Sequence, residues 1–331
     1  MLVLNLLSIM SQTRLLVLGD PASAHLKLLS RIPDETDIVV TADEEHAKKH
    51  VAEADAILVD MGRAGLLKAV MPLARNLKWV HSVSAGVEPM MFPDMIASPV
   101  PLTNGRGAYK RSLAEFVIYG CMFFAKDTRR MLRQQAEGRW EQYYMEEIHG
   151  KTLGIVGYGE IGRASAAMAV AFGMKVLAMR RRPELSADDP HISGVYGKDN
   201  LREMLAQCDY ICVAAPNAKD AIGLIGAEEF AAMKPNAVII NVGRGPVIVE
   251  TELIRALQEK RIRGAALDVF DIEPLPAGHP LFALDNVLIS PHCADRVDGW
   301  LEIAMEVFLD NFERFTTGNA LINVVDKQAG Y

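Results

Sequence analysis

The chain has 331 residues, half of them hydrophobic and 23% charged, with a formal net charge of −7. That length suits two domains with ample core, and the acidic balance excludes the usual grounds for expecting a nucleic-acid partner. The four cysteines lack metal-like spacing, so no metal site is expected and the thiols read as reduced, in a cytoplasmic protein.

The opening stretch MLVLNLLSIMSQTR is apolar but carries no charged leader or cleavage site. It is too short to span a bilayer, and no membrane association is expected. Met10 is an alternative start. Apolar runs over Arg14–Gly19, Asp37–Thr41, Ala56–Asp60 and Lys78–Ser82 read as buried strands. Between them, Ala24–Leu29, Glu44–Glu53 and Leu66–Met71 read as helices. This alternation predicts a small parallel-sheet domain. Its last strand runs into Ser84-Ala85-Gly86-Val87, small residues whose backbone N–H groups could cradle a carboxylate at the carboxyl end of a sheet. His81 reads as a packed strand histidine rather than a catalytic one.

Pro99–Asn104 is a short extended segment. Ser112–Phe124 is a helix too apolar for a surface position, and it is expected to run through a domain or subunit interface. A basic helix, Lys126–Arg139, and an aromatic loop, Trp140–Tyr144, follow.

Residues 151–183 carry the strongest local signal. Leu153–Val156 is a strand, Gly157-Tyr158-Gly159-Glu160-Ile161-Gly162 follows at once, a helix runs to Phe172, and Lys175–Met179 is a second strand. In that context G-x-G-x-x-G is a dinucleotide turn. Gly157 makes the tight turn, Gly159 admits a pyrophosphate, and Gly162 brings the helix onto the sheet. The helix N-terminus, with Glu160 and Ile161 in its first turn, then faces the phosphates. The second strand normally ends in an acid that bonds the adenine ribose. Here it ends in Arg180-Arg181-Arg182, and guanidinium groups suit a 2′-phosphate. NADP(H) is therefore favoured, with NAD(H) as the alternative.

The stretch from Pro183 to Gly197 reads as polar turns. Strands are then expected at Asp209–Ala214, Ala237–Val242, Gly264–Val269 and Asn286–Ser290. Helices are expected at Leu201–Gln207, Ala227–Met233, Glu252–Glu259 and residues 297–315. Val242 and Arg244, Asp268 with Glu273 beyond it, and His292 all follow strand ends, on the same sheet edge as the Gly157 turn. Such a set suits hydride transfer coupled to proton transfer. Arg244 would bind a 2-keto acid, His292 would act as acid and base, and Glu273 would orient it. Asp268 would bond the nicotinamide carboxamide.

On SAGV (84–87), GIVGYGEIG (154–162), NVGRGPVIVE (241–250), ALDVFDIEPLP (266–276), ISPHCA (289–294) and the tail INVVDKQAGY (322–331), the chain resembles the D-isomer-specific 2-hydroxyacid dehydrogenases along nearly its whole length. The resemblance implies an α/β fold of two Rossmann-like or flavodoxin-like parallel-sheet domains. The cofactor domain (105–296) would be inserted into the substrate domain (1–104 with 297–331). It implies Arg244, Glu273 and His292 as the catalytic set, Ser84–Val87 as the carboxylate cradle, closure between domains and a homodimer. It also implies reduction of small 2-keto acids of the glyoxylate or hydroxypyruvate kind. Alternatives are an NAD-dependent dehydrogenase of a larger D-2-hydroxy acid or phosphoglycerate, and a non-catalytic dinucleotide-sensing protein. The chain departs from the family at Arg180, where the ribose acid is missing. It departs again at Ala215–Lys219, where hydroxyl residues are usual, and in the charged stretch after His292.

Overall fold

The computed structural model describes residues 12–186 and 188–330, so the alternative start at Met10 lies outside the described residues. The chain divides into two compact units, one running to Ala108 and resuming at Gly299, the other Tyr109–Asp298.

The first unit is built on β1 (Arg14–Leu18), β2 (Asp37–Thr41), β3 (Ala56–Val59), β4 (Trp79–Ser82) and β5 (Leu102–Asn104), with α1 (Glu44–His50), α2 (Ala64–Val70) and α3 (Pro93–Ala97). The sheet is parallel, in the order β2-β1-β3-β4-β5. Leu15–Leu18 and Ala56–Val59 are buried throughout, as expected of strands covered on both faces. The polar α1 is fixed by its ends. Asp43 accepts the His46 N–H at 2.7 Å, acids occupy the first turn, and Lys48, Lys49 and His50 occupy the last. The segment Ala24–Arg31 is helical as expected but takes the tighter 3₁₀ form.

The second unit begins with α4 (Lys110–Ala125) and α5 (Thr128–Ala136), separated by Asp127 in the left-handed region at φ 49°. Its strands are β6 (Thr152–Val156), β7 (Lys175–Met179), β8 (Gly194–Tyr196), β9 (Tyr210–Val213), β10 (Val238–Asn241), β11 (Gly264–Leu267) and β12 (Val287–Ile289). Its other helices are α6 (Glu160–Ala171), α7 (Leu201–Leu205), α8 (Ala227–Ala232) and α9 (Glu250–Gln258). All strands run parallel, in the order β12-β11-β10-β9-β6-β7-β8. The chain goes from β6 to β7 and β8 on one side and returns to β9 on the other. The reversal between β6 and β9 is the position at which open α/β sheets form a ligand crevice.

One sequence expectation changes here, and another gains detail. The stretch after Pro183 is not all turn, because β8 adds a half-buried edge strand to β7. The apolar α4 spends its apolar face within its own unit. Val117, Cys121 and Phe124 are buried in a cluster with Ile155, Tyr210 and Ile240, which accounts for much of the helix's hydrophobicity.

The chain returns to the first unit as α10 (Trp300–Thr317). Phe308 stacks on Trp79 of β4 with ring centres 5.6 Å apart and planes at 12°, and Phe312 and Phe315 complete the aromatic layer. Losing one such buried ring costs about 3–5 kcal/mol. His81 lies in this layer, fully buried, with Nδ1 2.7 Å from Thr103 Oγ1, which also accepts the Trp79 Nε1–H. Burial lowers its imidazole to about 3. His81 is thus a neutral core residue.

Candidate active site

The turn after β6 is shaped by two different demands on glycine. Gly157 has φ +97°, and a Cβ there would lie 2.5 Å from the Ala215 nitrogen. At Gly162 a Cβ would lie 2.8 Å from the Gly157 oxygen. Backbone geometry and packing therefore require both. Gly159 differs, since a Cβ there would meet nothing within 4 Å among the described residues. The protein's own packing leaves it no reason to be glycine, and the space before the first turn of α6 is open. As at any helix start, the first N–H groups of α6 find no carbonyl within the helix. An open face over such an N-terminus fits a pyrophosphate. Glu160 turns its carboxylate to Lys110 Nζ at 3.1 Å, and Ile161 is half-buried on the core.

Arg180 sits one residue past β7. Its N–H donates to the Tyr196 carbonyl of β8 at 3.2 Å, and its guanidinium Nη1 donates to the buried Ser186 hydroxyl. Burial, then the neighbouring cations Arg163 and Arg182, push the guanidinium below its ordinary value. Such a site favours an added anion. Arg181 points elsewhere and pairs with Asp220 at 3.7 Å. Sequence reasoning did not find Ser186, since a serine in a turn carries no local signal of an arginine partner six residues away.

Arg244 leaves β10 half-buried. Asn241, the last residue of that strand, accepts the Gly243 N–H and donates to the Arg244 carbonyl, both at 3.1 Å. The Arg244 Nη1 donates to the Gly243 carbonyl at 2.8 Å. Val242 is buried in the core, so its backbone is the part that a cofactor could reach.

The loops after β11 and β12 are joined. Asp268 is 1% exposed, and its Oδ1 accepts from Ser290 Oγ at 2.5 Å, Cys293 N at 2.9 Å and Ala294 N at 3.1 Å. Its backbone carbonyl accepts the His292 N–H at 3.0 Å. These bonds hold His292 at φ 50°, a conformation that costs a non-glycine residue energy. The imidazole Nδ1 then lies 2.6 Å from Glu273 Oε2, and Glu273 Oε1 accepts the Phe270 N–H at 2.9 Å. With Nδ1 engaged by a carboxylate, Nε2 is the nitrogen left for a reacting group. Asp295 adds a second carboxyl near the imidazole. Burial raises it, and His292 works in the opposite direction. Because the strands are parallel, Arg244, Asp268 and His292 leave the same sheet edge as Gly157.

In the first unit, the carbonyls of Ser84, Ala85 and Val87 are taken by Gly105 N–H, Asn104 Nδ2 and Met90 N–H. The acceptor side of this turn is therefore committed to the protein. Ser84 Oγ donates to Met61 Sδ at 2.9 Å, and the Val87 side chain is core. Among the described residues no group of three or more His, Cys, Asp and Glu side chains is placed to hold a metal ion, and no helix is long and apolar enough to cross a membrane.

The family described as "D-isomer specific 2-hydroxyacid dehydrogenase, NAD binding domain" matches residues 119–294. The chain belongs to the D-isomer-specific 2-hydroxyacid dehydrogenases. This dehydrogenase is 31% identical over 264 residues to a glyoxylate/hydroxypyruvate reductase B of Yersinia pestis, covering 78% of this chain and 80% of that one. It is 29% identical to a D-3-phosphoglycerate dehydrogenase of Methanocaldococcus jannaschii, of which the match spans only 57%, against 91% of this chain. A solved D-isomer-specific 2-hydroxyacid dehydrogenase of Xanthobacter autotrophicus, in complex with NADPH and MES, is 30% identical with a TM-score of 0.84, covering 97% of this chain and 100% of that one. The dehydrogenase is therefore an oxidoreductase that uses a nicotinamide dinucleotide.

Proposed function

We propose that the enzyme reduces small 2-keto acids of the glyoxylate or hydroxypyruvate kind to D-2-hydroxy acids, with NADPH as the favoured cofactor. The observation that carries this reading is the 2.6 Å contact between His292 Nδ1 and Glu273, which leaves an oriented Nε2 to donate a proton. The reduced nicotinamide supplies the hydride. The residues of this chain do the rest. Arg244 pairs with the keto acid through its planar donors and polarises the carbonyl. The Ser84–Val87 turn, whose Ser84, Ala85 and Val87 carbonyls are already engaged, offers N–H groups to the substrate carboxylate. His292 gives a proton to the carbonyl oxygen as it becomes a hydroxyl, and Glu273 holds the imidazole through Nδ1. Asp268 holds the His292 loop through Oδ1, so any bond to the nicotinamide carboxamide would fall to Oδ2. Gly157, Gly159, Glu160, Ile161 and Gly162 would hold the pyrophosphate, Arg180 would face the adenosine half, with Arg181 joining it only if it leaves Asp220, and the Val242 backbone would lie toward the nicotinamide.

The preference for NADPH is supported by the guanidinium of Arg180 where an acid would bind an unmodified ribose, and by the NADPH bound to the Xanthobacter relative. The small substrate is supported by the likeness to the Yersinia reductase. A homodimer is proposed too, supported by the exposure of Trp140 and Tyr144 on the arm after α5; sedimentation tests it. A cytoplasmic location rests on the reduced thiols alone.

A panel of 2-keto acids assayed with NADPH and NADH tests the reading. Turnover of glyoxylate or hydroxypyruvate, faster with NADPH, supports it. Preference for a phosphorylated or bulky keto acid with NADH replaces it with the larger-substrate reading. Cofactor binding without turnover on any member would leave a dinucleotide-sensing protein.

A further inference from the structure

Asn217 lies just past β9, at the reversal of strand order. Its side-chain oxygen is shielded from solvent and has no hydrogen-bonding partner among the described residues. A buried carboxamide oxygen left unpaired is costly and calls for an explanation. Between Ala214 and Ala218 the chain reads Ala-Ala-Pro-Asn-Ala, so this carboxamide is the sole side-chain hydrogen-bonding group in the segment.

The segment is tightly held. Ala214 N–H continues the pairing with β6 by donating to the Val156 carbonyl at 2.8 Å. Ala215 is pressed from two sides, since a Cβ at Gly157 would lie 2.5 Å from its nitrogen and one at Gly243 would lie 2.6 Å from its oxygen. Pro216 has its own φ fixed by its ring and restricts Ala215 before it, and its carbonyl accepts the Ala218 N–H at 2.8 Å, closing a turn around Asn217. Asn217 is thus carried by a fixed turn against the glycine turn that faces the pyrophosphate. Its unpaired oxygen therefore belongs to a held turn beside the reversal of strand order, not to a frayed loop.

The sheet order says which half of the cofactor passes this point. Arg180 follows β7 on one side of β6, whereas Asn217 follows β9 on the other. Beyond β9 come β10 and β12, which lead to Arg244 and His292. A dinucleotide with its pyrophosphate at the Gly157–Gly162 turn therefore extends its adenosine toward Arg180 and its nicotinamide nucleoside past Asn217. An oxygen accepts, and the donors of that nucleoside nearest the pyrophosphate are its ribose hydroxyls. We propose that Asn217 accepts a hydrogen bond from a hydroxyl of the nicotinamide ribose and so sets the position of the ring. This rests on the cofactor reading above.

Equilibrium binding to Asn217→Ala tests it, with two ligands and one stability measurement. NADPH carries the nicotinamide ribose; 2′,5′-ADP carries the adenosine half alone. The variant is expected to bind NADPH roughly tenfold more weakly and 2′,5′-ADP as the wild type does. The melting temperature of the cofactor-free variant should be unchanged or higher, because the substitution removes an unpaired acceptor. Unchanged NADPH affinity would overturn the proposal. So would equal weakening of both ligands together with a lower melting temperature, the signature of a merely structural asparagine. If the wild-type protein prefers NADH, only the Arg180 reading fails, and NADH against AMP makes the same comparison. If it binds no dinucleotide, both readings fall.

Discussion

Glu273 holds His292 from one oxygen and is itself held by the other: Oε2 lies 2.6 Å from Nδ1, and Oε1 accepts the Phe270 N–H at 2.9 Å. The carboxylate is fixed by backbone, so the imidazole it orients is fixed too. His292→Ala is expected to lower kcat by roughly two to four orders of magnitude. Glu273→Gln, which keeps the shape and removes the charge, should cost roughly tenfold or more. Fluorescence titration should give nearly the same NADPH affinity for both variants as for wild type. Full turnover by His292→Ala would place the proton donor elsewhere.

The two glycines of the dinucleotide turn should respond in opposite ways. Gly157→Ala meets a φ of +97° and the Ala215 backbone, and should lose about 1–3 kcal/mol of stability or more. Gly159→Ala enters open space and should stay within about 0.5 kcal/mol of wild type in urea unfolding. Its cofactor affinity should nonetheless fall at least roughly tenfold, since its methyl occupies the approach to the phosphates. Normal binding by Gly159→Ala would put the pyrophosphate somewhere else.

Arg180→Ala isolates the question of the 2′-phosphate. A charged hydrogen bond lost to that group should weaken NADPH by roughly tenfold to a hundredfold, with NADH nearly unchanged. Ser186→Ala, which releases the guanidinium without removing it, should show a smaller shift in the same direction. Equal weakening of both cofactors would mean that Arg180 shapes the loop and does not read the phosphate.

His81 predicts an acid limb of stability. Its folded value of about 3 lies below the ordinary 6.5. Between those values the unfolded chain binds a proton that the native state does not, so stability falls as pH drops through this window. The contribution is complete above about pH 6.5 and is lost by up to about 1.4 kcal/mol per pH unit below it. Urea unfolding at pH 7 and pH 5 should show a smaller difference for His81→Leu than for wild type. The same difference in both would assign the acid sensitivity to other groups.

The sequence was most legible where chemistry and backbone coincide. Three glycines between an apolar run and a helix, and Arg244 and His292 after further apolar runs, announce themselves because strand ends on one sheet edge are where ligands bind. The three-residue β8 was not legible, since an edge strand covered on one side needs no apolar run. The hydrophobicity of α4 was legible, but not that Val117, Cys121 and Phe124 would bury against Ile155, Tyr210 and Ile240, because composition does not say which neighbour a helix buries its face against. Ser186 and Asn217 went unread for a different reason. Their significance lies in a partner, or in the lack of one, and neither is local in sequence. Asp268 showed only one of its roles, since three of the donors it holds come from a loop more than twenty residues away.

The stack of Phe308 on Trp79 has a consequence for synthesis. The aromatic layer of the first unit draws Trp79 and His81 from β4 and Phe308, Phe312 and Phe315 from α10, on either side of the whole inserted unit. As the chain emerges from the ribosome, Tyr109–Asp298 is complete before α10 exists, so the guest domain can close its core while the host still waits for a helix. Until then Trp79 and the buried layer around His81 lack their cover. In this chain the segment made first is the one that must stay longest without its native partners, and chaperones would find their exposed apolar surface there.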